Sequence, residues 1–228
     1  MPLVALNPGH FPGLDPGACG NGLQEADITL QLVNLIAPQL PAYGIDCIII
    51  HENELADICD KANASGADLF ISLHINAGGG TGYEDYTCCA ESDKANAYRD
   101  LLRIEVMNYL RQYEVTDRGK KHSAFYVLRQ TDAPAILCEN LFIDNAKDAA
   151  KLADPVFISG LADAYVKGIA RALGYSKLPQ AEVVVPEWAK DAVMWGIGNA
   201  LLDTQEGSHD WYRFLTFMHR YHKQFYKE

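Results

Sequence analysis

Four residues in this chain have side chains suited to hydrolytic chemistry and sit at places from which they can meet. His10 follows the first apolar run. His74 closes the run LFISLH, and Glu139 closes the run AILCE. Glu25 stands where a helical pattern begins. Two imidazoles and one carboxylate are a common catalytic zinc set that leaves a fourth position open for water. Such a metal lowers the pKa of that water and polarises a carbonyl. A second carboxylate is then needed to take a proton and to return it to a leaving nitrogen, and Glu139 suits that task. Taken singly, each residue has a plainer explanation. A His after a strand is ordinarily a loop or core residue. Glu25 is an ordinary first-turn helix acid, and Glu139 beside Asn140 fits a hydrogen-bonded turn. Spacing alone leaves both explanations open.

The elements around these residues decide whether they converge. From residue 3 to about 174 the pattern alternates strand and helix. Strands are predicted at Leu3 to Leu6, Asp46 to His51, Leu69 to His74, Tyr83 to Cys89, Phe125 to Leu128 and Ala135 to Cys138. Helices are predicted at Ala26 to Ala37, at Leu55 to Ala64, and along the face made by Ala95, Tyr98, Leu102, Val106 and Tyr109. A closing helix carries Ile158, Leu161, Tyr165 and Ile169, opened by Asp154-Pro155 as N-cap and first-turn proline. Strands separated by helices predict an α/β fold: a single mostly parallel sheet flanked by helices on both faces. In such sheets the residues just past the carboxyl ends of the strands line the binding crevice. His10, His74 and Glu139 all have that placement. Glu25 opens the helix after the first strand at the same end, where the helix dipole favours the ionised carboxylate.

The remaining residues divide into a linker, 176–185, and a C-terminal segment, 186–228, that reads as a small helical hairpin around the polar turn Asp203 to His209. Trp188, Ala192 and Trp195 share one face, and Trp211, Leu215 and Met218 another. A hairpin of this size buries little by itself. It must pack on the main domain, on another copy of the chain as a homodimer, or on a ligand. His219 and His222 lie three apart on its last helix, which a solvated face explains better than a metal.

The bulk properties narrow the classes. The chain has 228 residues, 49% of them hydrophobic, with a formal net charge of -11. That length suits one full core plus a small appendage. An acidic chain without clustered Lys and Arg is not expected to bind nucleic acid or an anionic membrane surface, and no window is long and apolar enough to span a bilayer. The six cysteines include no CxxC pair, so a cysteine zinc knuckle is not supported and free thiols are expected. The first residues carry no basic n-region, and Pro8-Gly9-His10 interrupts them at once. No cleavable signal peptide is therefore expected, and the chain is expected to be made in the cytoplasm.

The words around the four residues are more specific than their spacing. Asn7-Pro8-Gly9-His10 with Leu14-Asp15-Pro16-Gly17-Ala18, then Glu25-Ala26-Asp27, form the first. Ala67-Asp68-Leu69-Phe70-Ile71-Ser72-Leu73-His74-Ile75-Asn76-Ala77 is the second. The third runs from Tyr126-Val127-Leu128-Arg129 through Pro134-Ala135-Ile136-Leu137-Cys138-Glu139 to Phe142-Ile143-Asp144-Asn145. In order, over residues 3 to about 174, they resemble the zinc-dependent N-acetylmuramoyl-L-alanine amidases of type 3, cell-wall hydrolases of bacteria and phages. The resemblance implies zinc ligands at His10, Glu25 and His74 and a catalytic carboxylate at Glu139. It implies peptidoglycan as substrate, cut between N-acetylmuramic acid and L-alanine. It also implies action as an endolysin or autolysin that reaches the wall after holin- or lysis-dependent release. A zinc peptidase cutting inside the stem peptide would use the same ligands. A wall-binding module that has lost activity is a further alternative, against which the retention of all four residues argues. Some positions depart from the family words. Phe11-Pro12 replaces a Gly-Gly, His51-Glu52 stands where a Thr-Arg is usual, and Cys138 replaces an aliphatic residue. An arginine usual in the helix after His51 is also missing, although Asn63 is kept.

Overall fold

The computed structural model describes residues 1–89, 92–178, 185–198 and 209–225. The chain divides into two compact units, Met1–Leu178 and Pro179–Glu228.

The first unit begins with strand β1 (Leu3–Pro8), a short hairpin of β2 (Cys19–Gly20) and β3 (Leu23–Gln24), and helix α1 (Glu25–Ile36). A 3-10 segment, Ala37–Tyr43, leads to β4 (Asp46–Ile49), α2 (Leu55–Ser65), β5 (Leu69–Asn76) and β6 (Tyr83–Thr87). Then come α3 (Asp93–Leu110), β7 (Asp117–His122), α4 (Tyr126–Gln130), β8 (Ala135–Phe142), α5 (Ala146–Leu152) and α6 (Pro155–Leu173).

Six strands form one sheet in the order β4-β1-β5-β8-β6-β7. β4, β1, β5 and β8 run parallel, β6 is antiparallel to β8, and β7 is parallel to β6. The sheet is mostly parallel with helices around it. Strand alternation splits the core in two. Leu69, Ile71 and Leu73 of β5 pack with Ile28, Leu32 and Ile36 of α1, Leu102 and Val106 of α3, and Leu161 and Ile169 of α6. Phe70 of β5 and Leu137 of β8 pack on the opposite face with Ile58 and Ala62 of α2 and Val127 of α4. Burial on both faces is why LFISL reads as a continuous apolar run. The Asp154 side chain accepts from Val156 N at the start of α6, and Gly174 ends it with a left-handed backbone.

The hairpin of β2 and β3 and the helix α5 were not predicted, and two further features differ from the sequence-based prediction. Phe125 to Leu128 is not a strand. Its apolar residues belong to the one-and-a-half-turn helix α4, where Val127 and Leu128 point into the second core. A short apolar run fits either state, and packing decides between them. β7 was not predicted, because DRGKKH shows no apolar alternation. It is an edge strand whose ladder carries it, and its charged side chains are typical of a guarded edge.

In the second unit a 3-10 turn, Glu187–Ala189, is followed by α7 (Lys190–Gly198) and α8 (His209–Phe225). Ala189, Ala192, Val193, Tyr212 and Leu215 make its small core. His219 is buried and stacks on Trp195 at 5.3 Å, and the His222 ring is 5.2 Å from the same indole. These two histidines thus serve packing on an aromatic ring rather than forming a solvated face. The polar turn predicted at Asp203 to His209 and most of the predicted linker lie outside the described residues.

Candidate metal centre

The carboxyl ends of the parallel strands bring the four residues together. His10 lies just beyond β1, where Gly9 N donates to Leu73 O at 2.8 Å and keeps the exit beside β5. Thr29 Oγ1 of α1 donates to Gly9 O at 2.7 Å from the other side. His10 itself adopts a left-handed backbone, φ 67°, a conformation concentrated at functional sites in non-glycine residues. Glu25 is the first residue of α1 and almost fully buried. His74 and Glu139 are register partners on β5 and β8, so their side chains leave the same face of the sheet, on strands about 5 Å apart.

His10, Glu25 and His74 each present a ligand atom, all within 4.8 Å of one another. His10 Nε2 is 3.2 Å from Glu25 Oε2, and His74 Nδ1 is 3.0 Å from Glu25 Oε1. Two glycines make this approach feasible. A Cβ on Gly9 would stand 2.5 Å from the His74 ring, and one on Gly17 would stand 2.5 Å from the His10 ring and 2.7 Å from Glu25 Oε2.

A second layer orients each ligand. Asp15 Oδ2 is 2.7 Å from His10 Nδ1, and Asp15 Oδ1 accepts from Gly17 N at 3.1 Å. Glu25 accepts from Ala18 N and Ile75 N, each at 2.9 Å. Donor and acceptor accounting fixes the orientation of His74. Asn7 Nδ2 donates to the carbonyls of Pro8 and Ile50, so its oxygen is left as acceptor. Ser72 Oγ donates to that oxygen at 2.7 Å. The hydroxyl then has only lone pairs for His74 Nε2, 3.0 Å away. His74 must donate from Nε2, which leaves Nδ1, 3.0 Å from Glu25 Oε1, as the nitrogen turned to the centre. Metal-binding imidazoles are habitually held in this way by their second nitrogen.

The electrostatics suit a cation. Glu25 is pushed up by burial, but the hydrogen bonds from His10 and His74 outweigh it and hold its pKa at about 2. Glu25 in turn lifts His10 to about 9 against the effect of its own burial. Glu139 is raised to about 7, mainly by burial; His74 opposes the shift, and Glu25 and Glu84 add to it. Its Oε2 is buried without a hydrogen-bond partner. The donor set, the glycine clearances and this orphaned oxygen all fit a divalent cation bound by two imidazoles and one carboxylate. A cavity of about 390 Å³ opens over His10, His74 and Glu139, walled by Leu55 of α2 and by Phe125 and Tyr126 at the start of α4.

All four sequence-derived candidates therefore meet at one sheet edge. Reasoning from residue types missed the part played by Ser72, inside the predicted strand Leu69 to His74, by Asn7, just past the predicted strand Leu3 to Leu6, and the orienting part of Asp15. Two of the departures from the family words touch each other: the Phe11 and His51 rings stack at 4.3 Å.

Residues 4–171 match the family described as N-acetylmuramoyl-L-alanine amidase. The chain is 39% identical over 183 residues to the N-acetylmuramoyl-L-alanine amidase CwlM of Bacillus licheniformis, covering 78% of this chain and 71% of that protein. It is 38% identical over 183 residues to the endolysin of Bacillus phage SPP1, covering 77% and 67% respectively. The solved catalytic domain of CwlV, an N-acetylmuramoyl-L-alanine amidase from Bacillus (Paenibacillus) polymyxa, superposes with a TM-score of 0.71 at 25% identity, covering 77% of this chain and 100% of that one. By the family match over residues 4–171, the identity to these relatives and the shared fold, the chain belongs to the N-acetylmuramoyl-L-alanine amidase family.

Proposed function

We propose that the chain is a zinc-dependent enzyme that hydrolyses the amide between the lactyl group of N-acetylmuramic acid and L-alanine in peptidoglycan, with His10, Glu25 and His74 holding the metal and Glu139 as the catalytic carboxylate. One observation carries the reading. Two imidazole nitrogens and a carboxylate converge within 4.8 Å, and the neighbouring strand offers a buried carboxylate oxygen with no partner. Bound zinc would polarise the scissile carbonyl and make water acidic at neutral pH.

The chain's own residues supply the rest. Asp15 and Ser72 keep the His10 and His74 rings turned so that one nitrogen of each faces the centre. Glu139, with its pKa near 7, accepts a proton from the attacking water and gives it to the departing L-alanine nitrogen, the task for which a carboxylate poised near operating pH is suited. The exposed apolar wall of Leu55, Phe125 and Tyr126 offers a surface for the sugar or the stem. The likeness to a phage endolysin and to bacterial wall amidases supports an enzyme that lyses or remodels walls.

Mass spectrometry of fragments released from purified peptidoglycan, with and without a chelator, tests the proposal. Free lactyl groups on muramic acid with new N-terminal alanines, lost on chelation and restored by zinc, are expected. New ends inside the stem peptide would replace the amidase reading by a peptidase. Release that survives complete metal removal would overturn the zinc assignment.

A further inference from the structure

The row of side chains that contains His74 and Glu139 does not stop there. Glu84 of β6 is the antiparallel register partner of Glu139, so it leaves the same face one strand further out, about 5 Å on. Glu84 is 3% exposed, and both its oxygens are fully engaged. Oε1 accepts from Asn76 Nδ2 at 3.0 Å and from Tyr86 Oη at 2.7 Å. Oε2 accepts from Arg118 Nε at 2.5 Å and from Lys121 Nζ at 2.6 Å, both on the edge strand β7.

Two cations on one carboxylate leave a positive charge in excess. The Arg118 and Lys121 side chains remain 33% and 36% exposed. Neither is a loose surface cation. The Arg118 guanidinium lies over the Phe142 ring at 4.7 Å, and the Lys121 ammonium over the Tyr86 ring at 5.6 Å. Burial raises the Glu84 pKa, but the hydrogen bonds from Lys121 and Arg118 outweigh it and hold it near 2. The anchor therefore stays ionised at any working pH. In a chain of net charge -11, a fixed cationic ledge one strand beyond the proposed catalytic carboxylate is a local exception to the overall charge.

The amidase reading gives this ledge a direction. The carboxylate that protonates the leaving nitrogen must face the leaving peptide, so the stem departs on Glu139's side of the centre. An extended peptide covers at most about 3.5 Å per residue. A carboxylate on the residue after L-alanine thus falls within about 7 Å of the scissile nitrogen, which matches the step from β8 to β6 and its reach to β7. We propose that Arg118 and Lys121, held by Glu84, form a subsite that binds a carboxylate of the leaving stem peptide and so determines which stems are cut. The inference rests on the amidase reading. It concerns side chains outside the metal centre and can fail on its own.

The test compares kcat/KM for N-acetylmuramoyl-L-alanyl-D-glutamate with a free α-carboxyl group and for the same compound as its α-carboxamide. A second pair carries the amide at that position and a third residue whose carboxyl is free or amidated. A charge-assisted hydrogen bond predicts that wild type prefers the acid in one of the pairs by about tenfold. Which pair shows the preference identifies which stem carboxylate is read. In Arg118→Gln/Lys121→Gln the preference should fall to within about twofold, and Arg118→Lys should keep most of it. If the double variant does not fold, because Glu84 is left buried without a cation, Lys121→Gln alone keeps Arg118 on Glu84 and should lower the preference about threefold. A substrate ratio is not moved by a merely structural loss, which lowers both members of a pair alike. Equal rates on both members in wild type, or an undiminished preference in the variants, would overturn the ledge while lactyl and alanine ends still appear from peptidoglycan. If no such ends appear from any substrate, the amidase reading falls first and takes the ledge with it.

Discussion

Asp85 and Glu139 are carboxylates on neighbouring strands, both removed from solvent, and their surroundings are opposite in kind. Asp85 on β6 is fully buried and meets two guanidinium groups, Arg103 in direct contact and Arg99 at 3.8 Å, with Arg103 reaching on to Asp117 of β7. Each of the two has one oxygen without a hydrogen-bond partner among the described residues, but that of Asp85 lies beside the Arg99 guanidinium, whereas Glu139 on β8 has no Arg or Lys among the partners described for it. A guanidinium stays charged at every accessible pH, so the first cluster is a permanent brace tying β6 and β7 to α3. The basic groups that act on Glu139 are the imidazoles of His74 and His10, whose nitrogens a metal would use. The same pair of strands thus holds one buried carboxylate faced by permanent cations and another faced by imidazoles. The kind of basic group opposite, rather than burial or an unpartnered oxygen as such, marks the proposed reactive one.

The sharpest way to break this comparison is to neutralise each carboxylate without changing its shape. Glu139→Gln should lower kcat by about 10³-fold while zinc content, measured by atomic absorption, stays at one per chain. It should also raise the stability of the metal-free protein. Because the folded pKa of Glu139 lies at about 7, above the ordinary 4.5, the group's penalty is absent below the unfolded value. The penalty grows through the interval and is complete above about pH 7. The gain at pH 8 is on the order of 3 kcal/mol, readable as a higher midpoint in urea, and it should vanish at pH 4. A variant that loses stability at pH 8 would place Glu139 with Asp85 as a structural group. Asp85→Asn should do the reverse. Burial pushes the Asp85 pKa up as well, against the pull of Arg103 and Arg99. The variant nevertheless leaves both guanidinium groups, largely buried, before an uncharged amide. This outweighs the relief at a net cost of about 3 kcal/mol of stability, with kcat per folded, zinc-loaded molecule changed by less than about twofold.

Two smaller effects refine the reactive cluster. Ser72→Ala removes the acceptor that fixes the His74 tautomer and should weaken zinc binding about tenfold, measured by competition with a chromophoric chelator. Ser72→Thr should recover part of that loss. Zinc affinity of the wild type should rise with pH up to about 9 and then level off. His10 in the metal-free protein keeps its proton until that value, and the metal must displace it. By the same shift, the stabilisation that His10 draws from Glu25 is fully present below its unfolded value of 6.5 and is lost as pH rises through about 9. An affinity that levels off near 6.5 would show that Glu25 does not hold the proton on His10.

Sequence made the reactive residues legible and left the ordinary ones hidden, for a physical reason. His10, His74 and Glu139 end apolar runs, so strand-end placement predicts one crevice without knowledge of the neighbours. Ser72 and Asn7 carry no such mark. Their meaning lies in which atoms remain free once β1 has paired with β5, and register is a tertiary quantity. β7 escaped for a related reason, since an edge strand of charged residues has no period of its own. Its Arg118 and Lys121 look like solvated charges in one dimension and become a ledge only when β6 brings Glu84 beneath them. The helix α4 shows the converse, where a run of apolar residues was legible as buried but not as helical.

The stack between Phe11 and His51 has a genetic consequence. The two residues come from different loops, 40 positions apart in sequence, and each occupies a place where the family words have something else. Because the rings face each other, a change at either leaves the other without its partner. The second substitution then has a different value from the one it would have alone. Exchanging one of them alone leaves a single ring unstacked beside the loop that carries His10. Grafting loops between this protein and its relatives should therefore succeed when residues 11 and 51 travel together and fail more often when they are exchanged one at a time.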